Sequence, residues 1–175
     1  MMADVPVREA TSDDIDELVA LWAHYIRVNR ANPSYQLSRE DGLLKRRQAF
    51  EQHVKDQESC VFVIPGQTGG LDGMLTCFVE DNTGYFDPPR YGRLQAPFVR
   101  PEARGHGNVR RLLAAAHLWA RDMGLTEIRL FTSAFEPAPN VRAEEMGFEA
   151  IEIVRRRPVE RNYGIGKTPF DERRS

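Results

Sequence analysis

Apolar residues return along the chain with two periods. Ile15, Leu18, Val19, Trp22, Tyr25 and Ile26 recur at helical spacing, which gathers them on one face. Thr11-Ser12-Asp13-Asp14 stands before them as an N-cap with acids in the first turn, so a helix is predicted to about Val28. Asn29 to Leu37, with Asn32-Pro33, reads as a loop. A second helix is predicted behind Ser38 as its cap, with Asp41 in capping-box position. Its apolar set is Leu43, Leu44, Phe50 and Val54, and Gly42 weakens it near its start.

Elsewhere the pattern is that of strands. Val5 to Ala10 reads as an edge strand, with Pro6 tolerated at its start. Ser59 to Ile64 and Leu71 to Glu80 flank the turn cluster Pro65 to Gly70 and predict an antiparallel hairpin. Asp81 to Tyr91 is a long loop, and Gly92 to Val99 the central strand. Pro97 inside that strand cannot donate to a ladder, so a bulge or a parting of strands is predicted there. A long helix follows, with Val109, Leu112, Leu113, Ala116, Ala120 and Met123 on one face and Gly124 as its left-handed C-cap. Thr126 to Thr132 alternates as a strand, Ala138 to Glu145 is a short helix ended by Gly147, and Phe148 to about Val154 reads as the last strand. The βαβ pattern around Leu125 to Val154 implies some parallel pairing. The prediction is one domain over residues 1–157 and an irregular tail over 158–175.

Composition narrows the class. The chain has 175 residues, 41% of them hydrophobic and 29% charged, enough for one domain with a substantial core. A net charge of −2 exerts no general pull on nucleic acid or an anionic membrane. No apolar run is long enough to span a bilayer and the first residues lack signal-peptide character, which predicts a cytoplasmic protein. A simple hairpin register puts the two cysteines, Cys60 and Cys77, opposite one another as reduced thiols. The four histidines are scattered and no zinc spacing exists, so no metal is expected.

The candidate chemistry lies at the junction of the central strand and the long helix. Phe98-Val99 leads into Arg100-Pro101-Glu102-Ala103-Arg104-Gly105-His106-Gly107-Asn108-Val109-Arg110. Gly105 and Gly107 let backbone N–H groups turn toward a ligand, and the helix start adds free donors and the positive end of its dipole. Arg104, His106 and Arg110 add basic groups. The pattern suits a phosphate or pyrophosphate, and it equally suits a plain strand–turn–helix whose glycines only make the turn. It is not the dinucleotide fingerprint, because Arg110 stands where a third glycine is required. Gly166-Lys167-Thr168 lacks the first glycine of a P-loop, and acids flank Arg155-Arg156-Arg157, so neither carries a function.

Val99-x-Pro101-Glu102-x-Arg104-Gly105-x-Gly107 resembles the acyl-CoA-binding motif of the GNAT superfamily of N-acetyltransferases, written Gln/Arg-x-x-Gly-x-Gly/Ala. Arg104 and Gly107 match its first two positions, and Val109 departs from the third. The resemblance runs from about Val5 to Val154. It implies an α/β (α+β) fold with a mixed, mostly antiparallel sheet of six to seven strands and about four helices. It also implies acetyl-CoA as acyl donor and an amine-bearing acceptor, either a small molecule or a protein. Phe98 and Val99 would face the pantetheine arm, and Arg104, Gly105, His106, Gly107, Asn108, Val109 and Arg110 the pyrophosphate. Both monomer and homodimer remain open.

The family's catalytic residues do not carry over. Its usual glutamate base falls near Ala96, beside Gln95, and its usual tyrosine acid falls on Ala143. That alignment puts the family's CoA-contacting asparagine at Glu136, whereas a shifted register uses Asn140 and still lacks the tyrosine. Glu80 is the first substitute for proton transfer, with Tyr85 and Tyr25 behind it. Each also has an ordinary reading, as a strand-end acid, a loop anchor and a core-facing aromatic. His106 fits anion binding and His117 a helix surface better than either fits a base. Glu80, Asp81 and Asp87 form an acidic lip that suits a cationic amine. The alternatives to an N-acetyltransferase are a degenerate acyl-CoA binder and an interaction module without transfer.

Overall fold

The computed structural model describes residues 6–35, 41–67, 69–135 and 137–156. The Ser38 cap, Glu136, the 158–175 tail and Gly166-Lys167-Thr168 lie outside them. The chain runs β1 (Arg8–Glu9), α1 (Ile15–Val28), α2 (Gly42–His53), β2 (Ser59–Pro65), β3 (Leu71–Asp81), β4 (Arg90–Val99), α3 (Asn108–Asp122), β5 (Ile128–Leu130) and α4 (Pro137–Glu145). The sheet has the order β1-β2-β3-β4-β5, antiparallel except for the parallel pair β4–β5. The parallel pairing therefore arises from the crossover β4–α3–β5.

The sheet is covered on both faces. Cys60, Phe62, Ile64, Leu75, Cys77 and Leu94 meet Leu112, Leu113 and Ala116 of α3. Val61, Val63, Met74, Ala96 and Phe98 meet Ile15, Leu18 and Leu21 of α1 and Phe50 of α2 on the other face. This explains why β2 reads as a continuous apolar run: every residue from Ser59 to Ile64 is buried. Cys60 and Cys77 are direct cross-strand partners and both are free and buried. Burial, then the neighbouring Cys60 thiol, holds the Cys77 thiol above its ordinary range. At Gly92 the packing leaves little room, since a Cβ there would stand 3.1 Å from the side chains of Trp119 and Ile128.

Thr11 does form a capping box with Asp14, but around a 3₁₀ turn, Ser12–Asp14, that precedes α1. In α2 only Phe50 is buried, while Leu43 and Leu44 are 41% and 57% exposed. The inward position one turn before Phe50 is taken by Arg46, so the apolar periodicity misplaced the helix's buried face.

The expected strand over Phe148–Val154 is not formed, which leaves five strands. Ile151, Ile153 and Val154 are 63%, 73% and 83% exposed. Alternation marks a segment that can be a strand, but a ladder partner makes it one, and β5 offers an edge of only three residues. Among the described residues no helix is long and apolar enough to cross a membrane, and no group of three or more His, Cys, Asp or Glu could hold a metal ion.

Candidate functional site

β4 pairs with β3 from Val99 opposite Gly73 to Arg90 opposite Asp81, with one break. Met74 faces Phe98 and Thr76 faces Gln95, so Ala96 and Pro97 together oppose Leu75. This is a bulge at Pro97, where the missing N–H predicted one. Ala96 takes a φ of +53° there, an unusual conformation for a residue with a Cβ. On its other side β4 pairs with β5 only over Gly92–Leu94. Beyond the bulge the two strands part, and Gln95 to Val99 have no ladder partner in β5.

The parted strand runs straight into the glycine turn. Gly105 and Gly107 have φ of +87° and +72°, conformations that favour glycine. A Cβ on either would meet nothing within 4 Å, so the turn faces open space. The Gly107 carbonyl accepts the Arg111 N–H at 3.0 Å and starts α3. By helix geometry the N–H groups of Asn108, Val109 and Arg110 then point out of its N-terminal end. Buried Asn108 braces the turn: its Nδ2 donates to the Ala103 carbonyl at 2.8 Å and its Oδ1 accepts from Arg111. Arg104 is exposed and its Nε donates to the Val99 carbonyl at 3.2 Å, which fastens the turn to the strand end. His106 and Arg110 are exposed on the same rim. Val109 is half-buried, with its side chain against the α3-side core, so it presents only its backbone to a ligand. Free N–H donors, the helix dipole and open space in front of both glycines make this turn fit a pyrophosphate.

A cleft of about 2180 Å³ opens where β4 and β5 separate. Trp22, Tyr25, Tyr35, Arg46, Gln95 and Ala96 line one wall, and Arg110, His117, Asn140 and Ala143 belong to the other side. It is larger than a single ligand pocket, and residues 148–156, which join no strand, also line it. Asn140 is tied to the end of β5, its Nδ2 donating to the Ser133 carbonyl at 2.9 Å and its Oδ1 accepting from Thr132. Ala96 and Ala143, at the two positions where a base and an acid were sought, both line this cleft.

Glu80 and Tyr85 do not line it. Glu80 pairs with Arg93 at 2.9 Å and lies beside Tyr91, four residues along β3 from Thr76, roughly 13 Å at the rise of a strand. Tyr85 is 92% exposed in the turn between β3 and β4. Asp81 pairs with Arg90, so two of the three acids of the expected lip, Glu80 and Asp81, are matched by arginines. The hydroxyls beside the bulge are those of Tyr25 and Tyr35, 3.0 Å apart, with Tyr25 edge-on to Phe98 at 5.9 Å. Tyr35 escaped sequence reading because it sits in a loop without periodicity. Its one signal was an aromatic two residues after Asn32-Pro33.

A search of curated proteins finds no match to this chain. Among solved structures, the aminoglycoside acetyltransferase AAC(6')-Iy, held with a CoA-linked acetylneamine analogue, superposes with a TM-score of 0.66 at 18% identity, covering 87% of this chain and 97% of that one. Aminoglycoside 6'-N-acetyltransferase AAC(6')-IG from Acinetobacter haemolyticus gives 0.68 at 15% identity over 89% and 99%. A transcriptional regulator from Bacillus halodurans gives 0.69 at 22% over 88% and 99%. These likenesses establish the fold. The family model described as "Acetyltransferase (GNAT) family" matches residues 22–148, more than half of the chain and the whole span from the Trp22 wall through the glycine turn to α4, so the chain belongs to the GNAT acetyltransferase family.

Proposed function

We propose that the protein is an N-acetyltransferase that moves the acetyl group of acetyl-CoA to a primary amine. The observation that carries this reading is the parting of β4 from β5 at the Ala96–Pro97 bulge, immediately upstream of the open glycine turn and the α3 N-terminus. The turn from Arg104 to Arg110 would hold the pyrophosphate. The ladder-free edge of Gln95 to Phe98 would hold the amide-rich arm as a neighbouring strand would. Asn140 would border the same gap. The CoA-linked ligand held by AAC(6')-Iy, which shares the fold, supports CoA as the donor.

Acetyl-CoA supplies an acetyl group on a thioester, already activated toward amines. The amine nitrogen bonds to the acetyl carbon, the carbon–sulfur bond breaks, and CoA leaves as a thiol with one proton while the amine loses one. The protein contributes chiefly position, a large rate factor in itself. Backbone N–H groups at the bulge would stabilise the oxyanion. Tyr25 and Tyr35 are the hydroxyls on the wall beside the bulge, and they replace Glu80 and Tyr85 as our candidates for proton transfer, with water as the carrier.

Calorimetric titration with acetyl-CoA, with adenosine 3′,5′-diphosphate in parallel, tests the donor site. Saturable binding of both is the expected result. No binding at millimolar ligand would exclude the transferase reading and leave an interaction module. Binding without thiol release across a broad amine panel would leave a degenerate acyl-CoA binder.

A further inference from the structure

The cleft wall opposite the glycine turn carries an arginine that the transfer chemistry does not use. Arg46 stands on α2 at the inward position before Phe50. Its guanidinium lies 4.2 Å from the Phe50 ring centroid and 5.4 Å from that of Trp22. Nη1 donates to Gln95 Oε1 and Nη2 to the fully buried Thr76 Oγ1, both at 3.3 Å. These partners are neutral and the bonds are long. Nε is buried with no hydrogen-bond partner. Two other arginines of the cleft are matched, Arg93 by Glu80 and Arg129 by Glu127. Among the described residues no carboxylate pairs with Arg46.

A guanidinium removed from water without a counter-ion is unfavourable, and packing alone would be better served by an apolar side chain. Burial accordingly pulls its pKa down to about 10. The same desolvation makes an incoming anion bind more strongly than it would at the surface. A guanidinium has five N–H donors in a planar fork, matched to the two oxygens of a carboxylate, and among the described residues two of them are engaged. One positive charge between two aromatic faces suits a planar monoanion rather than a phosphate. Gln95, which fixes Nη1, is the neighbour of Ala96 at the bulge, so the anion would lie close to the reacting amine.

Resting on the acetyltransferase reading above, we infer that the acceptor is an amino acid, whose carboxylate is taken by Arg46 against Gln95 and Thr76 while its amine faces the bulge. A polycationic acceptor of the aminoglycoside type would meet an unneutralised positive charge on this wall. A zwitterion would neutralise it.

The test uses the full chain, acetyl-CoA and a thiol-release assay over the twenty amino acids, each beside its carboxamide, with acetyl-CoA calorimetry as a separate reading of the donor site. At least one amino acid is expected to react on the order of a hundredfold faster, in kcat/KM, than its carboxamide. Arg46→Met should lower turnover of the acid far more than that of its carboxamide and so remove the preference, while acetyl-CoA still binds saturably. Arg46→Lys should restore part of it, and thermal melts would confirm that both variants fold. Carboxamides reacting as well as acids would overturn the inference alone. So would acid turnover unchanged in Arg46→Met, or acetyl-CoA binding with no amino acid accepted. Absence of acetyl-CoA binding would overturn the transferase reading and this inference with it.

Discussion

Along its β3 edge, β4 stays in register from Val99 to Arg90 with one break, whereas along its β5 edge it pairs over three residues. On the β3 side the stretch from Gly73 to Cys77 is buried on both faces of the sheet. On the β5 side the sheet opens into a cleft whose outer segment exposes Ile151, Ile153 and Val154. Buried side chains are concentrated where the ladder is continuous, and open space where it is interrupted. A bulge lets one strand serve both, because two residues opposite one turn the chain without breaking its outer pairing.

The largest effect that could break this division is a cavity on the closed side. Ile64→Ala, at a buried position of β2, should cost about 2–5 kcal/mol by denaturant unfolding, while the folded fraction binds acetyl-CoA with unchanged affinity. A matching loss of affinity would show that the two sides are not separable. Gly107→Glu is the converse test. Its carboxylate would face the anion site, so acetyl-CoA affinity should fall on the order of a hundredfold. The left-handed φ adds only about 1–2 kcal/mol of destabilisation. Unchanged affinity in a folded variant would remove the turn from the donor site.

Two smaller effects sharpen the contrast. Cys60 and Cys77 lie in the closed part, and the Cys77 thiolate is disfavoured by burial. Native protein should resist an aromatic disulfide reagent that labels both thiols in urea. Fast native labelling would mean that the hairpin opens locally. The weakest effect is at His53, stacked on Phe78 at 5.4 Å. Burial, then the charge of Arg46, depresses its pKa below 6.5. The folded state therefore binds fewer protons than the unfolded one just below pH 6.5. Stability should be full above that pH and fall as pH drops toward the depressed value. His53→Gln should melt with less dependence on pH between about 7 and 5.5; an unchanged dependence would assign the acid sensitivity elsewhere.

Much of the closed side was legible because local rules and tertiary packing agree there. The Ser59–Ile64 run, the Cys60–Cys77 register and the α3 stripe each follow from one period and one turn. The bulge was legible too, since Pro97 has no N–H to donate. Where local and tertiary demands differed, the reading failed. Leu43 and Leu44 took the buried face of α2 on paper, and Arg46 takes it in the molecule. Phe148 to Val154 alternates like a strand but finds no ladder.

By itself the sequence determined most of the element order, the α/β class, the glycine turn and the resemblance to its family, because glycine, proline and apolar spacing act through the local backbone. Only the tertiary structure decided which side chains face the cleft. Glu80 is paired with Arg93 and lies outside the cleft lining, Tyr25 and Tyr35 meet across a helix and a loop, and Arg46 arrives beside Gln95 with no counter-ion among the described residues. Such groupings join residues far apart in the chain, and their charge balance depends on which partner lies within a few ångströms, a distance that no local pattern encodes.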